Sequence, residues 1–368
     1  MASRNRGRLL AFAGGVWASR LPRRQPANPR RILIVQQLLL GDSIMLAPLL
    51  AKLRAVYPQA ELVLTCAPGL VSLFAARPWG LTALPLDFRQ AQTVRQIIAS
   101  GPYDLALIPA ESRLSWLARA AGARWLKAFA GDPGYFKNWP IDEHVAFPPP
   151  QPSAWGDLLA RALIAGADPV PYAAGDWPAP PAADFQRPAE PYVVCHVGAS
   201  NPLKFWPAER WARLAGWLAE QGLRVVFSCG PGEAALLDEI DPKGRHARHA
   251  GDLSLPQLWQ LLAGARLLIS LDTGVLHLAH LTLTPTVGLY GPGSPTLFTT
   301  GQYWQAQRER KVYIPDFPCR DENLVFRRPV AWAGNCARPY GVCTEGRCMQ
   351  AIDYKAVELA AGELLHAD

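Results

Sequence analysis

The sequence contains no apolar run of the ~18 residues that a membrane-crossing helix needs, so no segment reads as a transmembrane helix. It has no internal repeat of solenoid period, which excludes a stacked-repeat architecture. Its seven cysteines include no C-x2-C pair and do not make an even disulfide set. Cys66, Cys195 and Cys229 sit in apolar, strand-like surroundings and read as small core residues. Cys319, Cys336, Cys343 and Cys348 follow the pattern C-x16-C-x6-C-x4-C. That spacing leaves thiols, a disulfide or a metal open, and no metal ligand is assigned.

Acidic residues are missing altogether from the first 31 positions. Those positions hold eight arginines: Arg4, Arg6, Arg8, Arg20, Arg23, Arg24, Arg30 and Arg31. Taking these eight from the 37 basic residues leaves 29 against 30 acidic ones, so the body is close to neutral although the chain carries +7. This argues against a nucleic-acid groove across the fold. A basic N-terminus instead fits an anionic membrane surface, at ~1 kcal/mol per basic residue near the headgroups. Residues 9–18 form a modest apolar run like a weak signal peptide. However, Gly14-Gly15 and Trp17 interrupt it, and Arg20, Arg23 and Arg24 follow at once. The expectation is a peripheral, partly amphipathic anchor, with a disordered tail as the alternative.

What is present points to an α/β protein of two domains. The chain has 368 residues, half of them hydrophobic. The run RILIV at 31–35 predicts a strand, Gly41-Asp42 a turn, and 43–56 a helix with an apolar stripe that ends before Pro58. Further strands are predicted at 61–65, 104–108, 192–197, 224–228, 267–270 and 286–290. Helices are predicted at 113–121, 155–165, 208–221, 233–240, 255–263, 275–283 and 356–366. Strand and helix alternate, as in doubly wound sheets. Residues 148–185 are rich in Pro and Ala. The expected division is a basic extension over 1–29, a Rossmann-like domain over 30–170 and a linker over 171–188. A second Rossmann-like domain covers 189–350, and a C-terminal helix covers 351–368.

The most informative stretch is LLISLDTGVLHLAHLTLTPTVGLYGP, residues 267–292. It reads as strand, polar loop, short helix and strand, with its loop where open α/β sheets bind ligands. Gly274 lets a ligand approach the backbone, and free N–H groups of the first helical turn suit a phosphate. Asp272 suits hydroxyls, which donate to a carboxylate. A phosphate cradle beside a carboxylate fits a nucleotide sugar, although Asp272 and Thr273 also make a plain helix cap. Three other segments carry similar chemistry. Gly41-Asp42 follows the first strand, with Asp42 at a helix start, where its charge is favoured. H-V-G-A-S-N-P-L-K-F-W-P at 196–207 offers the Ser200 hydroxyl and the compact Lys204 charge. Gly230-Pro231-Gly232-Glu233 places a carboxylate at the opening of a helix.

The order and spacing of these four motifs resemble the heptosyltransferase family of bacterial lipopolysaccharide synthesis, glycosyltransferase family 9. The resemblance covers most of the chain from Arg31 to about Ala360. It implies two Rossmann-like domains facing a cleft, the glycosyltransferase B architecture. It also implies an ADP-sugar donor, an inverting and metal-independent transfer, and no cofactor. The acceptor would be a lipid-anchored glycan, the lipopolysaccharide core, met by a cytoplasmic enzyme peripheral on the inner face of the inner membrane. Carried over residue by residue, Asp42 is the catalytic base, with Gly41 in the acceptor-side loop. Ser200, Lys204, Glu233, Asp272, Thr273, Gly274 and His277 hold the donor and its phosphates. A sugar-nucleotide epimerase of the same architecture, or a non-catalytic sugar-nucleotide or glycan-binding module, stays open beside this reading.

Overall fold

Short apolar runs between polar loops build two separate sheets. A computed structural model describes residues 2–20, 22–147, 151–336, 338–339 and 341–367, with side chains from Arg6 onward. The Arg4 side chain and residues 148–150 of the Pro-rich stretch lie outside the described residues. The chain divides into two units. One comprises Met1–Val170, Asp176–Pro178 and Leu324–Val330; the other comprises Pro171–Gly175, Ala179–Asn323 and Ala331–Asp368.

In the first unit, six parallel strands form one sheet: β1 (Arg31–Ile34), β2 (Glu61–Cys66), β3 (Thr82–Pro85), β4 (Leu105–Ile108), β5 (Trp125–Phe129) and β6 (Glu143–Val145). Their order is β3-β2-β1-β4-β5-β6, that of dinucleotide-binding α/β units. Ile32 is in register with both Leu62 and Leu105, so β1 and β4 meet at the centre. All of β4, and all of β1 except Arg31, is buried, as expected of parallel strands covered on both faces. The helices are α1 (Ala2–Ala18), α2 (Leu40–Ile44), α3 (Ala47–Val56), α4 (Ala91–Ala99), α5 (Ser115–Ala120), α6 (Tyr135–Asn138) and α7 (Trp155–Leu163). The single helix expected over 43–56 is two. Pro48 cannot continue a helix but fits the first turn of a new one, so α3 restarts there. Residues 2–18, expected as an anchor or a tail, form a helix packed on α4 and α5.

The second unit repeats the plan with β7 (Tyr192–His196), β8 (Arg224–Cys229), β9 (Ala247–Ala250), β10 (Leu267–Leu271), β11 (Thr286–Leu289) and β12 (Glu309–Val312). The order β12-β11-β10-β7-β8-β9 is the same topology counted from β7, and every pair is parallel. Its helices are α8 (Ala208–Glu220), α9 (Ala234–Ile240), α10 (Leu255–Ala263), α11 (Gly274–Leu281), α12 (Arg347–Gln350) and α13 (Tyr354–Leu365). Helix α10 has its expected bounds because Ser254 and Gln257 form a capping box at its start. The expected two-domain α/β architecture is therefore present. Strands β3, β5, β6, β9 and β12 were not expected. All but β5 are sheet edges, where half-buried or exposed residues interrupt the apolar run; in β5 the run is broken by Lys127.

A hairpin from the later part of the sequence returns to the first unit. Leu324–Val325 pairs with Arg328–Pro329 through Phe326 and Arg327, both left-handed, with φ of 45° and 67°. The buried Arg328 donates to the carbonyls of Ala110 at 3.1 Å, Phe129 at 3.1 Å and Ala130 at 2.7 Å. It thereby ties the segments that leave β4 and β5. Arg328→Met is expected to destabilise the first unit by about 1.5–3 kcal/mol, the range for a hydrogen-bonded charge. Urea unfolding followed by tryptophan fluorescence checks this.

Candidate functional site

In both sheets the strand order reverses between two central neighbours, β1 with β4 and β7 with β10. Ligands of open α/β sheets bind beyond the carboxyl ends of such strands. In the second unit the loops after β7 and β10 converge there. Lys204 Nζ, from the first loop, donates to the Asp272 carbonyl at 2.6 Å and to its Oδ2 at 2.9 Å. The Asp272 side chain is 6% exposed and that of Lys204 26% exposed, so the carboxylate is sheltered while the ammonium keeps one side towards solvent. Two of its three hydrogens are occupied by Asp272. The loop after β11 makes room for this pair: a Cβ on Gly293 would collide with Asp272 Oδ2.

Thr273 is the N-cap residue of α11, extended in backbone, and its side chain makes no capping bond. Thr273 and Gly274 are half-buried at the open end of the helix. The helix start that the sequence offers for a phosphate thus has no side-chain cap from Thr273. Ser200 is exposed in the same loop as Lys204. Glu233 is placed differently from a free ribose-binding carboxylate. Its Oε1 accepts from the Ala199 N–H at 3.1 Å and its Oε2 from the Gly230 N–H at 2.6 Å, clamping the loops after β7 and β8 together. Gly198 lacks a side chain where one would strike that carboxylate.

His277 is buried on α11, its ring centre 5.4 Å from that of His280. Burial, with His280 nearby, pushes its pKa down to about 4. His196, at the end of β7, is buried against Ser228 Oγ at 2.9 Å and is likewise pushed down to about 4. Beneath α11 lies a cluster that the sequence did not flag. Glu309 accepts from the Tyr290 hydroxyl at 2.8 Å, the Thr299 hydroxyl at 3.0 Å and the Thr300 hydroxyl at 2.8 Å. Burial raises the Glu309 pKa, but His280 and the Thr300 and Tyr290 hydrogen bonds outweigh it and hold it below the usual carboxylate range. The signal for this cluster was weak, since Glu309 opens a polar edge strand.

In the first unit, Asp42 lies in the first turn of α2, half-buried, and Gly41 is buried. The loop leading to them is fixed from below. Thr65 Oγ1 accepts from the Gln36 N–H at 2.9 Å and donates to its carbonyl at 2.7 Å. The Gln36 amide donates to Ser43 Oγ at 3.3 Å. A cavity of about 420 Å³ lies in the same unit. Gln37, from the loop after β1, and Glu111, from the loop after β4, line it together with four cations: Arg8, Arg113, Lys137 and Arg327. Neither this cavity nor the Gln36 network was anticipated from sequence. The structure thus gathers Ser200, Lys204, Glu233, Asp272, Thr273, Gly274 and His277 in one unit and sets Gly41 and Asp42 in the other.

All seven cysteines are free, and the Cys319 thiol is raised by burial and by the neighbouring Cys336. Among the described residues, no group of three or more His, Cys, Asp or Glu side chains is arranged to hold a metal ion.

The model of glycosyltransferase family 9 (heptosyltransferase) matches residues 94–323. Lipopolysaccharide heptosyltransferase 1 of Pseudomonas aeruginosa is 29% identical over 326 residues, 81% of this chain and 88% of that relative. Among solved structures, a family 9 glycosyl transferase from Veillonella parvula superposes with a TM-score of 0.69 at 17% identity, covering 92% of this chain and 97% of that one. Escherichia coli heptosyltransferase WaaC, solved with ADP, gives 0.68 at 17% identity, covering 91% and 99%. Structural likeness at these identities shows the fold, the glycosyltransferase B architecture.

The buried histidines predict an acid limit. In the folded chain His196 and His277 protonate only near pH 4, against an ordinary value of 6.5. Between those values the unfolded chain binds more protons, so their contribution to stability is complete above about 6.5 and is lost as pH falls towards 4. His277→Asn is expected to reduce the slope of unfolding free energy against pH in that window by about one proton. Urea titrations at a series of pH values measure it; an unchanged slope would show that His277 is protonated in the fold.

Proposed function

Because the chain belongs to glycosyltransferase family 9, the heptosyltransferases, we propose that it moves a heptose, or a closely related sugar, from an ADP-sugar to the core of a lipopolysaccharide acceptor. The observation that carries this reading is the Lys204–Asp272 pair beside the open N-terminus of α11. The pair offers a cation for a diphosphate, a sheltered carboxylate for sugar hydroxyls, and first-turn N–H groups for the phosphate nearest the helix. The Pseudomonas relative's name and the ADP in WaaC support the same donor chemistry.

In this reading the acceptor hydroxyl attacks the anomeric carbon of the donor sugar. The bond from that carbon to the diphosphate oxygen breaks, its electron pair leaves with ADP, and the configuration inverts. Asp42 takes the acceptor proton. The third hydrogen of Lys204, the Ser200 hydroxyl and the α11 N–H groups hold the charge that develops on the departing diphosphate. These groups carry the leaving charge without a metal, and the donor is the only small molecule required. Glu233 acts by holding the Ala199 and Gly230 loops in place. The four cations of the first-unit cavity favour an acidic glycan. An acceptor anchored in lipid places the reaction at the cytoplasmic face of the inner membrane, towards which the arginines of residues 1–31 draw the chain.

Incubation with ADP-heptose and a lipid-free core fragment, read by mass spectrometry, tests the reaction itself. Asp42→Asn is expected to cut kcat by ~10²–10⁴ with donor affinity nearly unchanged; near-normal turnover would remove Asp42 as the base. Lys204→Ala is expected to weaken ADP binding by about 1.5–3 kcal/mol, as for a hydrogen bond to a charged group. Calorimetry showing unchanged ADP affinity would place the diphosphate elsewhere.

A further inference from the structure

Helix α1 packs the opposite way round from an ordinary surface helix. The residues it buries are small: Gly7, Ala11, Gly15 and Ala18, at the spacing of one helical face. Two of these have no room for a side chain. A Cβ on Gly7 would lie 2.6 Å from the Phe88 carbonyl oxygen, and one on Gly15 2.7 Å from that of Trp116. Of its large apolar residues, Leu10 packs against the core, whereas others lie on the opposite face, with Leu9 63% exposed, Val16 40% and Trp17 66%. A helix held only to enter water would place these residues inward.

The exposed face is continued by α6. Phe12 of α1 lies 4.9 Å from the Trp116 ring and 6.0 Å from that of Phe136. Trp139 also meets Trp116, at 5.9 Å, and the Trp116 indole N–H donates to the Phe136 carbonyl at 3.0 Å. Tyr135 is 85% exposed and Trp139 62%. The exposed Arg6 and Arg8 lie on α1 and the exposed Arg20, Arg23 and Arg24 follow it in sequence, with no acid anywhere in the first 31 residues. Arg23 also reaches Asp142 at 3.4 Å, and Glu111 shares the neighbouring cavity with Arg8.

We propose that the outer face of α1, together with Tyr135 and Trp139 of the α6 segment, is a preformed wedge that enters the headgroup region of an anionic bilayer. Aromatic rings favour the depth between headgroups and acyl chains, and arginines favour the negative surface above it. A second copy of the chain would carry the same arginines and would meet them with like charge, whereas an anionic lipid surface complements them. The wedge is rigid, because the Gly/Ala stripe locks α1 to the first unit before any lipid is met. The inference goes beyond attraction by a basic tail, since it requires apolar insertion by named side chains. It rests on the transferase reading only for its purpose. Vesicle binding is read without turnover, so failure of either leaves the other standing.

The test uses the full chain and vesicles of phosphatidylglycerol mixed with phosphatidylethanolamine. A triple variant, Leu9→Ser, Val16→Ser and Trp17→Ser, changes only exposed positions outside the donor site and the cavity lining. Unchanged circular dichroism and unchanged ADP affinity confirm that it folds. It is expected to lose about tenfold or more in vesicle partitioning, since each large apolar side chain withdrawn from the interface removes a favourable transfer term. Tyr135→Ser with Trp139→Ser is expected to lose partitioning in the same direction. Tryptophan fluorescence of the wild type is expected to be quenched by shallow-brominated lipid, and less so in the triple variant. The proposal is overturned if the triple variant partitions as the wild type does, or if high salt releases the wild type completely, which would leave charge alone. It is also overturned if sedimentation shows a wild-type dimer that the triple variant lacks while its vesicle binding is intact.

Discussion

A parallel strand covered by helices on both faces has nowhere to place polar chemistry except at its ends, and this constraint arranges both units. Strands β4, β7 and β10 are buried along their whole length. The groups able to bind or react therefore appear in the first residues after each central strand. Gln36 to Asp42 follow β1, Gly198 to Lys204 follow β7, and Asp272 to Gly274 follow β10. The strand order reverses at the same places, which leaves neighbouring loops diverging and a space between them. Two sheets with one topology thus give one chain two candidate sites, each within its own unit.

The charges at the second-unit site are structural as well as chemical. A carboxylate as sheltered as Asp272 would be costly without a partner, and Lys204 supplies one. Glu233 is spent on two backbone N–H groups that neighbouring loops would otherwise leave unsatisfied. The absent side chains of Gly198 and Gly293 are what allow those carboxylates their positions. The loops are consequently held by contacts within the chain, so a ligand binding between them would meet little ordering cost. The same coupling means that substitutions here disturb loop geometry.

Much of this was legible in the residues. The apolar runs gave β1, β2, β4, β7, β8, β10 and β11, but not β5, which Lys127 interrupts, and the polar Asp272-Thr273 turn gave the approximate start of α11. The Asp272-Thr273-Gly274 segment fell where it was expected, at the carboxyl end of β10, whereas Gly41-Asp42, expected as a turn, lies inside α2. The edges were not legible: β9 reads ARHA and β12 reads ERKV, because an edge strand half in water has no reason to be apolar. The break between α2 and α3 follows from the steric demand of Pro48, which the continuous apolar stripe across it conceals. The Lys204–Asp272 pair joins residues 68 positions apart, and each was read alone as a ligand for the donor. No local pattern reports that kind of pairing.

Helix α1 shows where periodicity misleads about orientation. A hydrophobic stripe marks the inward face when packing is driven by area removed from water. Here closeness of approach decides instead: Gly7 and Gly15 let the helix lie directly on the backbone at Phe88 and Trp116, which no larger residue could do. Leu9, Phe12, Val16 and Trp17 are left outside as a consequence, on a helix whose inner face is already complete. Leaving that area in water costs about 25 cal/mol per Å² of apolar surface, a cost that burial in an apolar phase removes. The arginines on either side narrow the choice of phase, since they would be unfavourable against a second basic surface and favourable against an anionic one. The tight inner packing and the exposed outer face are therefore two results of a single distribution of side-chain sizes along seventeen residues of helix.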